Sequence, residues 1–383
     1  MLFSASWLAL HGGPWDDGAI VDTPVYRAYG ERIAAGEVPY RDFAVEYPPA
    51  ALIVFWLPTL GGAGDYEPLF QLVMLVCGAA SAALVPVALA CTNVRGARLA
   101  GAVAFAGLSP LLLGNVILTR YDLWPALLLT AALTALLHAR DRLSHALLGV
   151  GVAAKLYPLV VLPLALLYVA RRRGTREAVA CLGVFASALA LVVLPFAIVA
   201  PEGVADSLAR QAGRPLQIES LGAGILLGLH RLGVYEAHVV SSHGSQNLAG
   251  ALPDALAAVQ TALQAICVVA VWLLFSRVQR DPAGLLTASA AAVAAFVAFG
   301  KVLSPQFLVW LLALVPLAAA LAPAAALAAA LVLTQLWFPS RYWDVVAVEP
   351  VAWLVVCRDL ALVALALVLA AATRRTRGAR GSR

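Results

Sequence analysis

Eleven apolar segments rich in Ala, Leu and Val set the strongest limit on what this chain can fold into. They do not alternate between apolar and polar residues, and this pattern indicates helices rather than strands. The chain is 62% hydrophobic and 12% charged, and a soluble domain carries about twice that charged fraction. In lipid every backbone polar group needs an internal partner, which a helix supplies, so we predict an all-α polytopic membrane protein. The segments cover residues 67–92, 99–113, 123–138, 144–155, 156–170, 176–200, 254–276, 283–300, 305–320, 324–338 and 355–372.

The opening residues, MLFSASWLAL, form an apolar stretch about half as long as the ~20 residues that a membrane-spanning helix needs. They have no basic flank and therefore lack the pattern of a signal peptide. We expect a partial first helix, left by truncation or by a start codon assigned too far downstream. The prediction is eleven or twelve membrane helices in a single domain, 1–383.

The arginines predict how these helices are oriented. Loops that contain NVRGAR, HARDR, RRRGTR and RVQRD, together with the tail RRTRGARGSR, hold 15 of the 26 basic residues and only 3 of the 21 acids. Basic loops stay on the cytoplasmic side, so the tail 374–383 is predicted to be cytoplasmic. The segments 11–66, 114–122, 201–253 and 339–354 are then external. The net charge of +5 reports this topology in the plasma membrane, and we expect no nucleic-acid partner.

The first external segment, 11–66, concentrates carboxylates where the chain enters the lipid. Asp22 followed by Pro24 is typical of a helix start. Val25, Tyr29 and Ile33 would form the apolar stripe of that helix, which we expect to lie in the membrane interface and to end at Gly36. Asp22 has two interpretations, a helix cap and a general base, and spacing does not decide between them.

Other acids of the same segment are also candidates. Asp16 and Asp17 are expected to be solvated turn residues. Asp42 and Glu46 either pair with Arg41 or line a cleft. Residues 48–60, which follow, are too few to cross the bilayer, so we expect them to dip into its outer leaflet.

The chain has 24 arginines but only two lysines, Lys155 in KLYP and Lys301 in KVLSPQF, each at the outer end of an apolar segment. Ionisable groups at membrane depth are costly and favour a functional role, and a cation there can bind a lipid phosphate. Snorkelling to the interface is the alternative. We predict that both lysines face one outer cavity. Further external cations are Arg120, Arg214, Arg341 and Arg358.

Cysteine, histidine and tryptophan give weaker indications. The five cysteines, none in a CxxC pair, are expected to be buried apolar residues. His238 and His243 share a polar loop without an HExxH motif, and we predict neither a metal site nor a cofactor. Several of the nine tryptophans lie near predicted helix ends, as an interfacial belt requires.

Four stretches in this order carry a resemblance: VDTPVYRAYGERIAAGEVPYRDFAVEYPPAALIVFWLP, GVGVAAKLYPLVVLP, GRPLQIESLGAG and FGKVLSPQFLVWLL. Together they resemble the polytopic glycosyltransferases of the C superfamily. The closest resemblance is to glycosyltransferase family 87, the polyprenyl-phosphate-mannose-dependent mannosyltransferases of actinobacterial envelopes. The resemblance runs from about residue 20 to about residue 360.

The resemblance implies a lipid-linked sugar donor, a polyprenyl phosphate, and a glycan or glycolipid acceptor on the outer face. An acid early in the first external loop would take the proton of the acceptor hydroxyl, and by position that acid is Asp22. Transfer would invert the sugar without a nucleotide or a covalent intermediate, and the resemblance gives no support for a metal. The implied substrate-binding residues are Asp42, Glu46, Tyr47, Arg120, Lys155, Tyr157, Arg214, Glu219, Lys301, Gln306 and Arg358.

Two other classes remain possible from the residues. A flippase or transporter of lipid-linked sugars would tend to have two-fold repeats and polar residues at the membrane midplane, whereas these acids cluster in the external segments. A non-catalytic scaffold would not need an acid beside lysine–proline motifs. We therefore favour a membrane glycosyltransferase.

Overall fold

The structure, a computed structural model, describes residues 1–12, 20–62, 64–277 and 281–375, without the side chain of residue 375. Asp16, Asp17 and the tail residues 376–383 lie outside the described residues. The described chain is mostly helical, as predicted, apart from one antiparallel hairpin of β1 (Val239–Ser242) and β2 (Ser245–Leu248). The helices are α1 (Leu2–Ala9), α2 (Thr23–Ala34), α3 (Leu52–Trp56), α4 (Tyr66–Leu89), α5 (Gly96–Leu113), α6 (Leu123–Leu137), α7 (Asp141–Ala154), α8 (Leu162–Arg173), α9 (Thr175–Val199), α10 (Pro201–Ala212), α11 (Leu221–Arg231), α12 (Ala251–Ser276), α13 (Pro282–Ala298), α14 (Leu311–Leu317), α15 (Leu321–Gln335), α16 (Tyr342–Val346) and α17 (Ala352–Arg375).

Every predicted apolar segment is helical, which confirms the polytopic helical fold. Within the described ranges, five helices are long and apolar enough to cross a membrane: α4, α5, α9, α12 and α17. Several of the others are shorter apolar helices, among them α6, α13 and α15. The structure adds helices that the sequence analysis did not predict, namely α10, α11 and α16.

Non-helical breaks separate α7 from α8 and α13 from α14, and each break contains one of the two lysines. α7 ends at Ala154, and Lys155 then has extended backbone with φ −163°. α13 ends at Ala298, and Lys301 follows in a non-helical stretch. In both places a 3₁₀ turn begins at or near a proline, over Tyr157–Val161 and Pro305–Trp310. At membrane depth, irregular backbone is tolerated only where it is buried in protein or lines a polar cavity. The two breaks therefore indicate where to look for a functional site.

The packed centre of the bundle is α13, whose side chains from Gly284 to Ala295 are all buried. Most of them are small, and small residues let membrane helices approach each other closely. α13 packs against α12, α14 and α17. This packing fixes the position of the break that follows α13.

The helix predicted after Asp22 exists, but it buries a different face from the predicted one. α2 begins at Thr23, and Gly36, with φ +87°, follows its end. Val25 of the predicted stripe is 45% exposed, whereas Tyr26 and Gly30 are buried. A Cβ on Gly30 would lie 2.2 Å from the Phe55 carbonyl oxygen. The missing side chain therefore lets α2 pack directly on α3, and this contact decides which face is buried.

The region 201–253, which was predicted to be external, contains α10, α11 and the β-hairpin. Its loop 213–220 adds to the hairpin, since the Ile218 N–H donates to the Gln246 carbonyl at 3.1 Å. The Leu248 N–H donates to Leu216 at 2.9 Å on the other side. The Gln217 N–H donates to the Lys301 carbonyl at 3.0 Å. The loop is therefore tied both to the hairpin and to the break after α13.

The arginine run at the end of α8 binds neighbouring helix ends. Arg171 donates to the last two carbonyl groups of α12. Arg172 and Arg173 donate to carbonyl groups at or just after the end of α6, and both form ion pairs with the buried Asp141. Basic side chains stabilise the unpaired carbonyl groups of helix C-termini. These arginines thus hold three helices together in addition to carrying the topology signal.

Candidate functional site

Asp22 occupies the position of a helix cap but does not cap α2, because its side chain makes no hydrogen bond to the helix N–H groups. Its Oδ1 lies 2.8 Å from Nη1 of Arg120, and its Oδ2 accepts a hydrogen bond from the Tyr26 hydroxyl at 3.2 Å. Arg120 is 4% exposed, whereas the Asp22 side chain is 29% exposed. The carboxylate is therefore oriented by Arg120 and Tyr26 and partly open to solvent, and the role of general base stays a prediction.

A second acid, Asp122, lies two residues after Arg120 and is fully buried. Its Oδ1 lies 2.5 Å from Nζ of Lys155 and accepts from Nε1 of Trp310 at 2.6 Å. The Lys155 ammonium group also lies 4.6–5.4 Å from the centres of three aromatic rings, a distance at which cation–π attraction operates. Asp122 thus joins the break after α7 to the 3₁₀ turn before α14.

Aromatic rings pack around the two ion pairs. Tyr26 stacks on Phe55 with ring centres 4.4 Å apart. Tyr47 makes edge contacts with both of these rings and with Tyr121, at 5.3–5.6 Å. Such pairs contribute about 0.5–1.5 kcal/mol beyond their burial. The cluster connects α2 to the loop that carries Arg120 and Asp122, and it places Tyr47 at the site.

Glu219 is buried within the electrostatic range of three arginines, Arg120, Arg214 and Arg358. Burial outweighs their effect and raises the pKa of Glu219 to about 7, while Gln217 donates a hydrogen bond to its carboxylate. Arg358 Nη2 donates to the Glu219 carbonyl oxygen at 2.6 Å. Arg120 Nη1 is ion-paired with Asp22, and Arg358 Nε lies 2.8 Å from Oδ1 of the buried Asp359. In the described part of the chain, Nε of Arg120, Nε of Arg214 and Nη1 of Arg358 are buried and have neither a hydrogen bond nor an ion pair. Together they form a concentrated set of donors for an anion.

Three further predicted residues lie around this centre. Tyr157 stacks on Trp310 with ring centres 4.1 Å apart and so belongs to the Asp122 cluster. Lys301 donates from Nζ to the Ala212 carbonyl at the end of α10. Gln306 is partly buried in the 3₁₀ turn that follows Lys301. The two lysines have different partners, and a shared cavity stays a prediction.

Asp42 and Glu46 differ, although they are four residues apart. Asp42 pairs with Arg41 at 2.9 Å, which was one of its two interpretations. Hydrogen bonds from Arg41 and from the Val38 N–H lower its pKa to about 2. Glu46 forms no ion pair in the described structure, and its side chain is partly exposed.

Gln260, buried in α12, connects the two loops that carry Glu219 and Lys301. Its Oε1 accepts from the Gly222 N–H at 2.9 Å, and its Nε2 donates to the Gly300 carbonyl at 3.0 Å. A polar side chain inside a membrane helix favours a functional explanation. Gln260 holds the start of α11 against the end of α13.

In the described ranges, no group of three or more His, Cys, Asp or Glu side chains is placed to hold a metal ion. His238 precedes β1, and His243 lies in the hairpin turn. The site described above therefore consists of carboxylates, cations and aromatic rings.

Comparison with known proteins identifies the family. A family model described as glycosyltransferase family 87 matches residues 45–305, more than half of the chain. The chain belongs to glycosyltransferase family 87. This membrane glycosyltransferase contains Arg120, Asp122, Lys155, Arg214 and Glu219 within the matched range, and Asp22 before it.

The fold of this family 87 glycosyltransferase is similar to that of ArnT from Cupriavidus metallidurans. The ArnT structure bound to undecaprenyl phosphate aligns with a TM-score of 0.53 at 16% identity and covers 98% of this chain and 77% of ArnT. The apo form of ArnT aligns with a TM-score of 0.50, also at 16% identity, and covers 98% of this chain and 76% of ArnT. A search of curated proteins found no match.

Sequence reasoning missed several residues of this glycosyltransferase site. Asp122 was visible as an acid at the mouth of an apolar segment, and such groups favour function. Trp310 was not singled out among the tryptophans, yet it is 2% exposed and donates a hydrogen bond to Asp122. No local signal connects Gln260 to loops about 40 residues away on either side. Its role depends on tertiary packing.

Proposed function

We infer that this enzyme transfers a sugar from a polyprenyl phosphate to a hydroxyl group of an envelope glycan or glycolipid on the outer face of the plasma membrane. Mannose is the sugar that the family resemblance implies. The observation that carries the proposal is the Asp22–Arg120 ion pair, which leaves one side of the carboxylate open beside buried guanidinium groups. The shared fold with ArnT, solved with undecaprenyl phosphate, supports this class of donor.

Asp22 is the general base in the proposed reaction. Its carboxylate accepts the proton of the acceptor hydroxyl while the hydroxyl oxygen attacks the anomeric carbon. The bond between that carbon and the phosphate oxygen breaks, and its electron pair leaves with polyprenyl phosphate. Attack from the side opposite the leaving group inverts the configuration. A general base typically contributes about 10²–10⁴-fold to the rate.

The buried arginines stabilise the departing phosphate. Besides their ion pairs with Asp22 and Asp359, Arg120 and Arg358 each keep one buried N–H group without a partner in the described structure, and so does Arg214. An anion would satisfy these groups. Donors fixed in advance at the point where charge develops lower the barrier more than mobile ones do. The apolar helices then hold the polyprenyl tail in lipid while the sugar lies in the external site.

The orientation of the chain is part of the proposal. The basic loops support a cytoplasmic C-terminus, with the site on the outer face. A periplasm-active reporter fused after residue 383 is expected to be silent, and a cytoplasm-active reporter to be active. The reverse result would contradict the orientation and with it the outer location of the donor sugar.

The function is tested with membranes that contain the full chain, radiolabelled polyprenyl-phosphate mannose and extracted envelope glycolipids. The expected result is transfer of label to the glycolipid, with little transfer by the Asp22→Asn variant. Polyprenyl phosphates that carry glucose or galactose test the choice of sugar. Movement of the intact labelled donor across vesicle bilayers, without transfer from any donor, would support the flippase alternative and overturn the proposal.

A further inference from the structure

The described acids between residues 20 and 62 differ in how they are paired. Asp22, Glu31, Glu37 and Asp42 each form an ion pair with an arginine. Glu46 has no cation within ion-pair distance, although three of these ion pairs form within the same external segment.

The main chain of Glu46 is nevertheless held firmly. Gln211 of α10 donates from Nε2 to the Glu46 carbonyl at 3.0 Å, and the Tyr29 hydroxyl contacts the Glu46 backbone. These contacts fix the backbone of Glu46, while its side chain forms no ion pair in the described structure. Its carboxylate oxygens are therefore available to a ligand.

The Glu46 carboxylate faces the turn of the β-hairpin. A Cβ built on Gly244 would lie 3.9 Å from Glu46 Oε2. The turn is polar, with the sequence Ser-His-Gly-Ser over residues 242–245. Arg214 donates from Nη2 to Ser245 Oγ at 3.0 Å and interacts electrostatically with Glu46. The hairpin tip and Glu46 thus form two sides of one polar cleft beside the arginine site.

We propose that Glu46 and the hairpin tip 242–245 form the subsite that binds hydroxyl groups of a neutral acceptor sugar. The inference rests on the proposed function and adds the acceptor to it. Glu46 precedes Tyr47, which packs on Tyr26, and Tyr26 donates a hydrogen bond to Asp22. A sugar held at Glu46 would therefore have the base close by, across one layer of aromatic rings.

The chemistry of the cleft favours hydroxyl groups over phosphate. An ionised carboxylate accepts hydrogen bonds and donates none, so it binds O–H groups and repels an anion. The anion of the donor has its proposed partners in Arg120, Arg214 and Arg358. The partly exposed ring of Tyr29 adds an amphipathic surface of the kind that suits a ligand with apolar and polar faces. The Glu46 carboxylate would thus bind the hydroxyl groups of the acceptor sugar and repel the phosphate of the lipid donor.

The test measures binding directly on the full-length protein purified in detergent. A panel of neutral octyl glycosides (mannoside, glucoside, galactoside and arabinofuranoside) is titrated by saturation-transfer NMR. At least one is expected to bind, and Glu46→Gln is expected to weaken that binding about tenfold, the value of one charge-assisted hydrogen bond. Glu37→Gln, the same substitution in an exposed ion pair of the same segment, is the control and should leave binding unchanged.

A kinetic arm distinguishes this proposal from the proposed function. Glu46→Gln should raise KM for the binding glycoside about tenfold with a much smaller change in kcat, whereas the control Glu37→Gln should change neither. If no donor is turned over by the wild type, the proposed function fails while the binding result still decides the acceptor site. Absence of binding by every glycoside, equal binding by Glu46→Gln, or loss of turnover without a change in KM would overturn the inference.

Discussion

The predicted cytoplasmic face and the predicted external site both contain arginines, but these arginines are bonded differently. On the predicted cytoplasmic face, the half-buried Arg171 and the exposed Arg173 donate to carbonyl groups at helix ends, and Arg173 also pairs with Asp141. In the predicted external site, Arg120 pairs with Asp22 and Arg358 pairs with Asp359, but each arginine also keeps one buried nitrogen without a partner in the described structure. The arginines of this site therefore combine structural ion pairs with N–H groups that a ligand can use.

The difference teaches where to expect a ligand. Buried polar groups are normally satisfied, and each exception requires an explanation. Arg172 Nε is such an exception on the cytoplasmic side, but its other nitrogens bind Asp141 and a carbonyl. In the predicted external site the exceptions belong to Arg120, Arg214 and Arg358, and all three arginines interact electrostatically with Glu219. A bound phosphate would supply hydrogen-bond acceptors for several of these unpaired N–H groups at once.

The largest expected effect separates an external from a cytoplasmic aspartate. Asp22→Asn should lower transfer 100-fold or more through loss of the general base. Its unfolding temperature should stay near that of the wild type, since Asn keeps an oxygen for Arg120. Asp141→Asn should destabilise the protein by about 1–3 kcal/mol, because two arginines lose a charged partner, with normal turnover per folded molecule. Transfer assays and thermal unfolding in detergent measure both.

Two further variants assess the assignment of the base. Asp42→Asn and Glu46→Gln should both retain kcat. If Asp22→Asn stays active and either of these variants is inactive, the base has been assigned to the wrong acid. Full activity in all three would exclude catalysis by an acid of this segment.

An intermediate effect compares arginines. Arg214→Gln should raise the donor KM about tenfold, since a charge-assisted hydrogen bond to the phosphate is lost. Arg173→Gln should change the donor KM by less than about twofold, because exposed ion pairs contribute little. Initial rates at varied donor concentration measure both. Similar KM values for the two variants would contradict the proposal that Arg214 binds the donor phosphate and Arg173 does not.

A smaller effect is expected for glutamines one turn apart on α12. Gln260→Leu leaves the Gly222 N–H and the Gly300 carbonyl without a partner, and we expect kcat to fall about tenfold as the loops shift. Gln264→Leu removes one bond to the Phe296 carbonyl and should leave kcat unchanged. Gln260→Glu, which keeps the acceptor oxygen, should be intermediate. Equal losses for both leucine variants would indicate a packing effect only.

The smallest effect concerns Asp42 and pH. Its pKa is lowered from 3.8 to about 2 by Arg41 and the Val38 N–H, so its ion pair stabilises the fold above pH ~4 and is lost as pH falls through ~2. Wild type and Asp42→Asn should therefore differ slightly in unfolding temperature at pH 5 and converge toward pH 2. Transfer should be alike in both at neutral pH. A difference that persists at pH 2 would contradict the pairing with Arg41.

The external segments mark how far sequence reasoning reached. The helix after Asp22 was predictable because Pro24 and Gly36 are local signals, and its end was placed within two residues. Its buried face was not, because the close approach of Gly30 to α3 is a tertiary contact. The fold of 201–253 was not predicted, because it involves contacts among the hairpin, the loop 213–220 and the break after α13, which are distant in sequence. Asp42 and Glu46 looked equivalent in sequence and differ only in their neighbours.

The sequence by itself determined the membrane class, the helical segments and the polytopic fold. These depend on backbone hydrogen bonds within each segment and on hydropathy summed along it, which are local properties. Tertiary structure alone decided that Asp22 meets Arg120 and that Asp122 meets Lys155 and Trp310. Trp310 lies 188 residues from Asp122, and contacts over such separations arise only when distant helices pack together. The chemistry of the site therefore depends on how the helices pack together. The local sequence of each helix determines little more than that the helix forms.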